Sequence, residues 1–199
     1  MADAQPLSQD EEEILTSVGY LVMRWNYAEY FMRQIIRQYL TGISILDSDH
    51  IKLSKTKPKD LVKRLNEDIL PKWQAPGQKY LKCLIEVFAA GRDHRNNIVH
   101  GIRMTIHGHE ERPAYAILMP NEPFEGKLDL GSYVELSTIR SLADYFHDLA
   151  MFAREIGIAF GSDGSLAYNQ DGSLANPVLP DLISVLPPIE RILIGKDEI

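Results

Sequence analysis

From residue 92 to residue 103 the sequence reads Arg-Asp-His-Arg-Asn-Asn-Ile-Val-His-Gly-Ile-Arg. Three side-chain types in this stretch can do chemistry together. Arg95 carries a permanent cation on a planar fork that suits a phosphate. Asn96 adds an amide, and His100 adds the side chain whose ordinary titration lies closest to neutral pH. In a helix, Asn96 and His100 stand one turn apart on one face, and Arg95 is offset but long enough to converge on them. A histidine at the C-terminal end of a helix also meets the negative end of the helix dipole, which favours the imidazolium. Together such groups can hold a phosphate and move a proton. Taken alone, the histidine reads more plainly as a helix cap.

The elements that must position these residues are helices. From about residue 10 to 40, Ile14, Val18, Leu21, Val22, Trp25, Met32, Ile36 and Tyr39 recur every three or four positions, a helical stripe. Glutamates fill its first turn, and Gly42 follows its end. A second helix is expected from about 58 to 70, opened by Pro58 and stopped by Pro71. A third runs from about 77 to 100, with Leu81, Leu84, Phe88 and Ile98 on its buried side and Gly101 as its cap. Beyond it the period changes to two. Ile102, Met104 and Ile106 alternate with polar residues, and 114–119 is also strand-like, so a small hairpin over about 102–119 is expected. A fourth helix follows from about 137 to 160. The expected fold is therefore a mainly α bundle of four to five helices with a β-hairpin insertion. It forms one domain over 1–160, followed by an irregular extension over 161–199, where Asp-Gly-Ser-Leu-Ala occurs twice.

Two charges fall on buried stripes. Glu29 lies four residues after Trp25, and Arg95 lies seven after Phe88. An unpaired buried charge costs several kcal/mol, about 3–5 when one partner of a pair is removed. The economical arrangement pairs Glu29 with Arg95 between the first and third helices, and on position alone that pair is structural.

The composition narrows the classes. A chain of 199 residues with 45% hydrophobic and 25% charged residues is an ordinary globular protein. The single cysteine, Cys83, sits among Leu81, Leu84 and Ile85 and fits a small core residue in a reducing compartment. Residues 1–13 are acidic with no apolar run, so no secretory signal is expected, and no stretch is apolar enough for a membrane. A cytoplasmic protein is expected. A net charge of −7 argues against broad nucleic-acid binding, although six cations (Lys52, Lys55, Lys57, Lys59, Lys63 and Arg64) cluster around the single anion Asp60. That run is either a solvated face or a polyanion contact.

The run Arg95-Asn96-Asn97-Ile98-Val99-His100-Gly101 at the end of the third helix resembles the Arg-x4–6-His motif of HEPN domains, including the polar residue after the arginine. The resemblance extends over roughly residues 10–160, with Trp25 and Glu29 in mid-stripe of a long first helix. It implies an all-helical fold and a homodimer in which two motifs face each other. The implied activity is metal-independent RNA endonuclease chemistry of the kind used in toxin–antitoxin, phage-defence and RNA-processing systems, with no cofactor. By that resemblance His100 serves in acid–base transfer, Arg95 stabilises charge on the scissile phosphate and Asn96 orients the site. Arg92 and Arg103 would rim the substrate cleft, with Glu29 as structural support. Implied partners are RNA and a cognate antitoxin or nucleotidyltransferase-like protein. The alternative is a non-catalytic HEPN-like module that binds a partner protein, nucleotide or RNA. Some toxin members carry a tyrosine two positions after the histidine, where this chain has Ile102.

Other patterns carry less. His107 and His109 flank Gly108 in an expected turn, and with His94 and His100 they make a poor zinc set, lacking cysteine and a suitably spaced acid. The window from Ala167 lacks the first and last ligands of a calcium loop. Tyr20, Tyr27 and Tyr30 on the first helix read as core or interface.

Overall fold

The helical periods translate directly into structure. A computed structural model describes residues 9–41, 52–53, 55–101, 115–118, 132–186 and 192–193. It is mainly helical, with α1 (Gln9–Thr41), α2 (Pro58–Arg64), α3 (Gly77–Gly101) and α4 (Leu136–Ala159). Three short strands, β1 (Tyr115–Leu118), β2 (Ser132–Glu135) and β3 (Ile192–Leu193), form one antiparallel sheet in the order β1-β2-β3.

The contacts divide the chain into two compact units. One gathers Arg24–Arg92 and Phe146–Leu186, a helical bundle built on aromatic packing. Trp25 stacks on Phe88 at 4.4 Å between ring centroids and meets Phe146 edge-on at 5.0 Å. Gly91 makes this possible, because a Cβ there would lie 3.0 Å from Phe146 and 3.2 Å from Trp25. After α2 the helix widens to a π turn at Leu65–Ile69 and tightens to a 3-10 turn at Leu70–Lys72. The buried residues Leu61, Leu65, Ile69 and Trp73 explain the change. A spacing of four drifts by roughly 40° per step around an α-helix, and a wider turn takes up that drift. Pro71, which has no N–H to donate, then ends the helix.

The tail of this unit has no helix or strand over residues 161–186, only turns, bends and isolated bridges, yet it contains a repeat. The octads Ala159-Phe-Gly-Ser-Asp-Gly-Ser-Leu166 and Ala167-Tyr-Asn-Gln-Asp-Gly-Ser-Leu174 form two successive coils. Ala167 N–H donates to the Ala159 carbonyl at 2.9 Å, and Ala175 N–H donates to the Ala167 carbonyl at 2.8 Å. Each coil closes on itself through Gly161 to Ser165 and Asn169 to Ser173, both at 2.8 Å.

The other unit holds the start of α1, Asp93–Tyr145 and the last residues of the chain. Ile14, Leu21, Ile98, Val134, Ile139 and Leu142 are buried there. Of the expected hairpin, residues 114–119 contain β1, which pairs with β2, with Tyr115 opposite Glu135 and Leu118 opposite Ser132. The expected first strand, 102–107, lies outside the described residues. β2 runs straight into α4, and four alternating residues fused to a helix leave too short a period to register.

Candidate phosphate-binding and proton-transfer site

The motif occupies the last turns of α3. The first part of that helix is apolar on its inner side, with Leu81, Leu84, Val87 and Phe88 buried. From Asp93 onward only Ile98 is buried among the side chains described, while His94, Arg95, Asn96 and Asn97 are half-buried. Ile98 is the anchor that holds this turn against its unit, and the polar residues flank it. Arg95 Nη1–H donates to the Asn96 side-chain carbonyl at 3.1 Å, so the amide fixes one arm of the guanidinium. His100 lies one turn beyond Asn96 in an unbroken helix whose last residue is Gly101. Gly101 is therefore inside the helix rather than a cap beyond it. The His100 side chain and Arg103 lie outside the described part of the molecule. Arg92 is half-buried and belongs to the aromatic unit.

Glu29 is engaged differently from the expected pairing with Arg95. Its carboxylate accepts the Trp25 indole N–H and pairs with Arg33 at 3.0 Å, both within α1. Arg33 also donates to the Thr56 carbonyl at 2.9 Å, tying α1 to the chain just before α2. The cation beside Glu29 is thus the one four residues on, the ordinary helical ion-pair spacing. Glu29 serves the aromatic core by satisfying the indole of Trp25, which is 0% exposed. A second polar contact absent from the sequence reading joins Arg24 Nη1 and His147 Nδ1 in the same unit. Arginine can only donate, so the histidine accepts there and carries its ring hydrogen on Nε2.

Two open grooves stand out among the described residues, and Arg95 and Asn96 line neither. One, of about 570 Å³, runs past Glu12, Glu13 and Tyr20 to Arg140 and Asp144, with Glu13 paired to Arg140 at 3.3 Å. The other, of about 260 Å³, lies among Tyr30, Gln34, Arg154 and Ile158. Within the basic run, Lys63 and Arg64 face Glu67 and Asp68 at 3.9 and 4.0 Å, while Lys55, Lys57 and Lys59 are exposed. Cys83 donates to the Ile183 carbonyl at 3.3 Å. Burial pushes its thiol up, and Glu86 adds to the rise, so it stays a protonated packing residue.

Among the described residues, no three His, Cys, Asp or Glu side chains converge as a metal site, and no helix is long and apolar enough to cross a membrane. His107 and His109 lie outside them. No family model, curated protein or solved structure matches the chain.

Proposed function

We propose that this chain is a HEPN-like, metal-independent RNA endonuclease, acting as a homodimer with Arg95, Asn96 and His100 of each chain in one composite site. One observation carries the reading: Arg95 is held by Asn96 on the last turns of a 25-residue helix, with His100 one turn further on. A planar guanidinium fork matches the oxygens of a phosphate. In-line cleavage needs a base to take the 2′-OH proton and an acid to protonate the departing 5′ oxygen. One His100 from each chain supplies both roles at once. Arg95 from the two chains clamps the phosphate between them. Arg92 and Arg103 supply further cations for the flanking RNA, and an antitoxin or nucleotidyltransferase-like protein is the partner that would restrain the activity.

The net charge of −7 favours a second reading, a non-catalytic module that binds a protein, nucleotide or RNA partner. The test is incubation of the purified protein with structured and unstructured RNA in EDTA, beside His100→Ala and Arg95→Ala. The nuclease reading expects cleavage without added metal and a drop of about 10²–10⁴-fold for His100→Ala. Equal cleavage by wild type and His100→Ala, or none by either, leaves the binding module.

A further inference from the structure

One serine stands where α1 calls for an apolar side chain. Ser17 lies three residues after Ile14 and four before Leu21, on the stripe that faces the core, and all three are at most 5% exposed. It is the one buried polar side chain among the described residues. A serine inside a helix ordinarily returns its hydroxyl to the carbonyl four residues back. Ser17 has no such bond and no other hydrogen-bond partner among the described residues. It is not sealed in either, because it lines the larger of the two grooves. An unpaired buried hydroxyl destabilises a fold, so Ser17 calls for a partner that enters from the groove.

The other residues of the groove define the chemistry of that partner. The groove, about 570 Å³, lies between the opening turns of α1 and of α4, wholly within the unit that holds Met1–Met23 and Asp93–Tyr145. That is the size of a small-molecule site. Glu12, Glu13 and Asp144 line it against Arg140, three carboxylates to one guanidinium, an excess of two negative charges. Glu13 takes Arg140 at 3.3 Å, so Glu12 and Asp144 have no counterion among the described residues. Among those residues no three acidic or histidine side chains converge on a point. The two free charges therefore suit cations held apart on a chain better than a metal ion, which gathers its ligands around one centre. Tyr20, 54% exposed, adds an aromatic ring to the same groove. We propose that this groove binds a linear polyamine. Its ammonium groups donate to the Glu12 and Asp144 carboxylates and to the Ser17 hydroxyl, and its methylenes lie against Tyr20. The proposal rests on no step of the RNA chemistry.

Calorimetric titration of the full chain with diaminobutane and with spermidine, at fixed ionic strength, tests it. The wild type binds spermidine saturably, and Asp144→Asn and Glu12→Gln each weaken binding by about tenfold. Glu86→Gln removes the same charge from the other unit and leaves the affinity unchanged. Fully N-methylated diaminobutane keeps its charges but has no N–H to donate, and it binds about tenfold more weakly than the parent amine. Ser17→Ala separates a ligand contact from a packing role. It removes the unpaired hydroxyl, so the melting temperature of the ligand-free chain rises by about 2–4 °C. Its affinity for spermidine nevertheless falls by about tenfold. Displacement of spermidine by magnesium ions at matched charge overturns the proposal, as does binding of trilysine but not of the free amines. An affinity indifferent to Ser17→Ala, or a Ser17→Ala chain less stable than wild type, overturns it too. If spermidine binds as expected and no RNA is cut, only the nuclease reading falls.

Discussion

The two octads of the tail share their turn and their closing bonds and differ in how they are packed. In both, the aspartate side chain accepts the N–H and the hydroxyl of the serine two residues on, at 3.0 and 2.6 Å for Asp163 and at 2.9 and 2.6 Å for Asp171. Both place the following glycine in the left-handed region, Gly164 at φ 79° and Gly172 at φ 84°. The first coil is docked. Phe160 is 0% exposed, near Tyr80 and Trp73, and the Trp73 indole donates to the Ser162 carbonyl at 3.1 Å. The second coil carries Tyr168 at the matching position, 63% exposed. The turn is a local property of Asp-Gly-Ser, whereas docking depends on what the rest of the unit offers.

The sharpest way to separate these contributions is at the aromatic position. Phe160→Ala should cost about 3–5 kcal/mol, as expected for an aromatic lost from a filled core. Tyr168→Ala should cost under about 0.5 kcal/mol, since it removes an exposed ring. Chemical denaturation of both variants measures the contrast, and equal losses would mean that the second coil is buried by something that a single chain does not supply. The glycines come next. Alanine at either position meets a left-handed backbone, worth about 1–2 kcal/mol. At Gly172 that is the whole effect, because nothing lies within 4 Å of an added Cβ. At Gly164 the Cβ would sit 2.8 Å from Trp73, and Gly77 already lies against the Gly164 carbonyl. Gly164→Ala should therefore exceed Gly172→Ala in the same denaturation series.

The same division between local and distant causes marks what the sequence makes legible. α1, α3 and α4 emerge within a residue or two of their periodic stripes, because a buried face must repeat every three to four positions, whereas α2 ends at Arg64, short of the expected 70. The π turn shows only in the four-residue spacing of Leu61, Leu65, Ile69 and Trp73, a signal easily read as ordinary helix. The pairing of β1 with β2, and of β2 with β3, joins segments far apart in the chain, and strands this short carry no pattern that names a partner. Glu29 is the instructive case at the site. Its i+4 arginine, Arg33, and its i−4 tryptophan stand in plain view, whereas burial periodicity alone points across the bundle to Arg95. Local pairs on a helix cost little entropy to form and should be considered first. The Arg95 and Asn96 contact, between neighbours, follows from the motif itself.

The smallest expected effect is the pH response of the two coils, and it bears directly on how local the turn is. At both sites the serine hydroxyl is the main cause, and the serine N–H the second, that holds the aspartate below the usual carboxylate range. These donors favour the charged form, so a lowered folded-state value means that the stabilisation is complete above the unfolded aspartate value. It is lost as pH falls through the lowered folded value. Carboxylate carbon shifts of Asp163 and Asp171, followed by NMR from neutral to strongly acidic pH, should give two midpoints below that of the same octad as a free peptide. The amide signals of Ser165 and Ser173 should move with them. Ser165→Ala and Ser173→Ala should each raise the midpoint of their own aspartate and leave the other unchanged. Because the main donors lie two residues away in both coils, docking enters only through the Gln74 side-chain amide, which donates to Asp163 Oδ2 at 3.1 Å, and apart from it the two aspartates should titrate alike. A midpoint for Asp163 well apart from that of Asp171 would show instead that the packed surroundings of Trp73 and Gln74, whose N–H donates to the Asp163 carbonyl at 2.8 Å, set the strength of the turn.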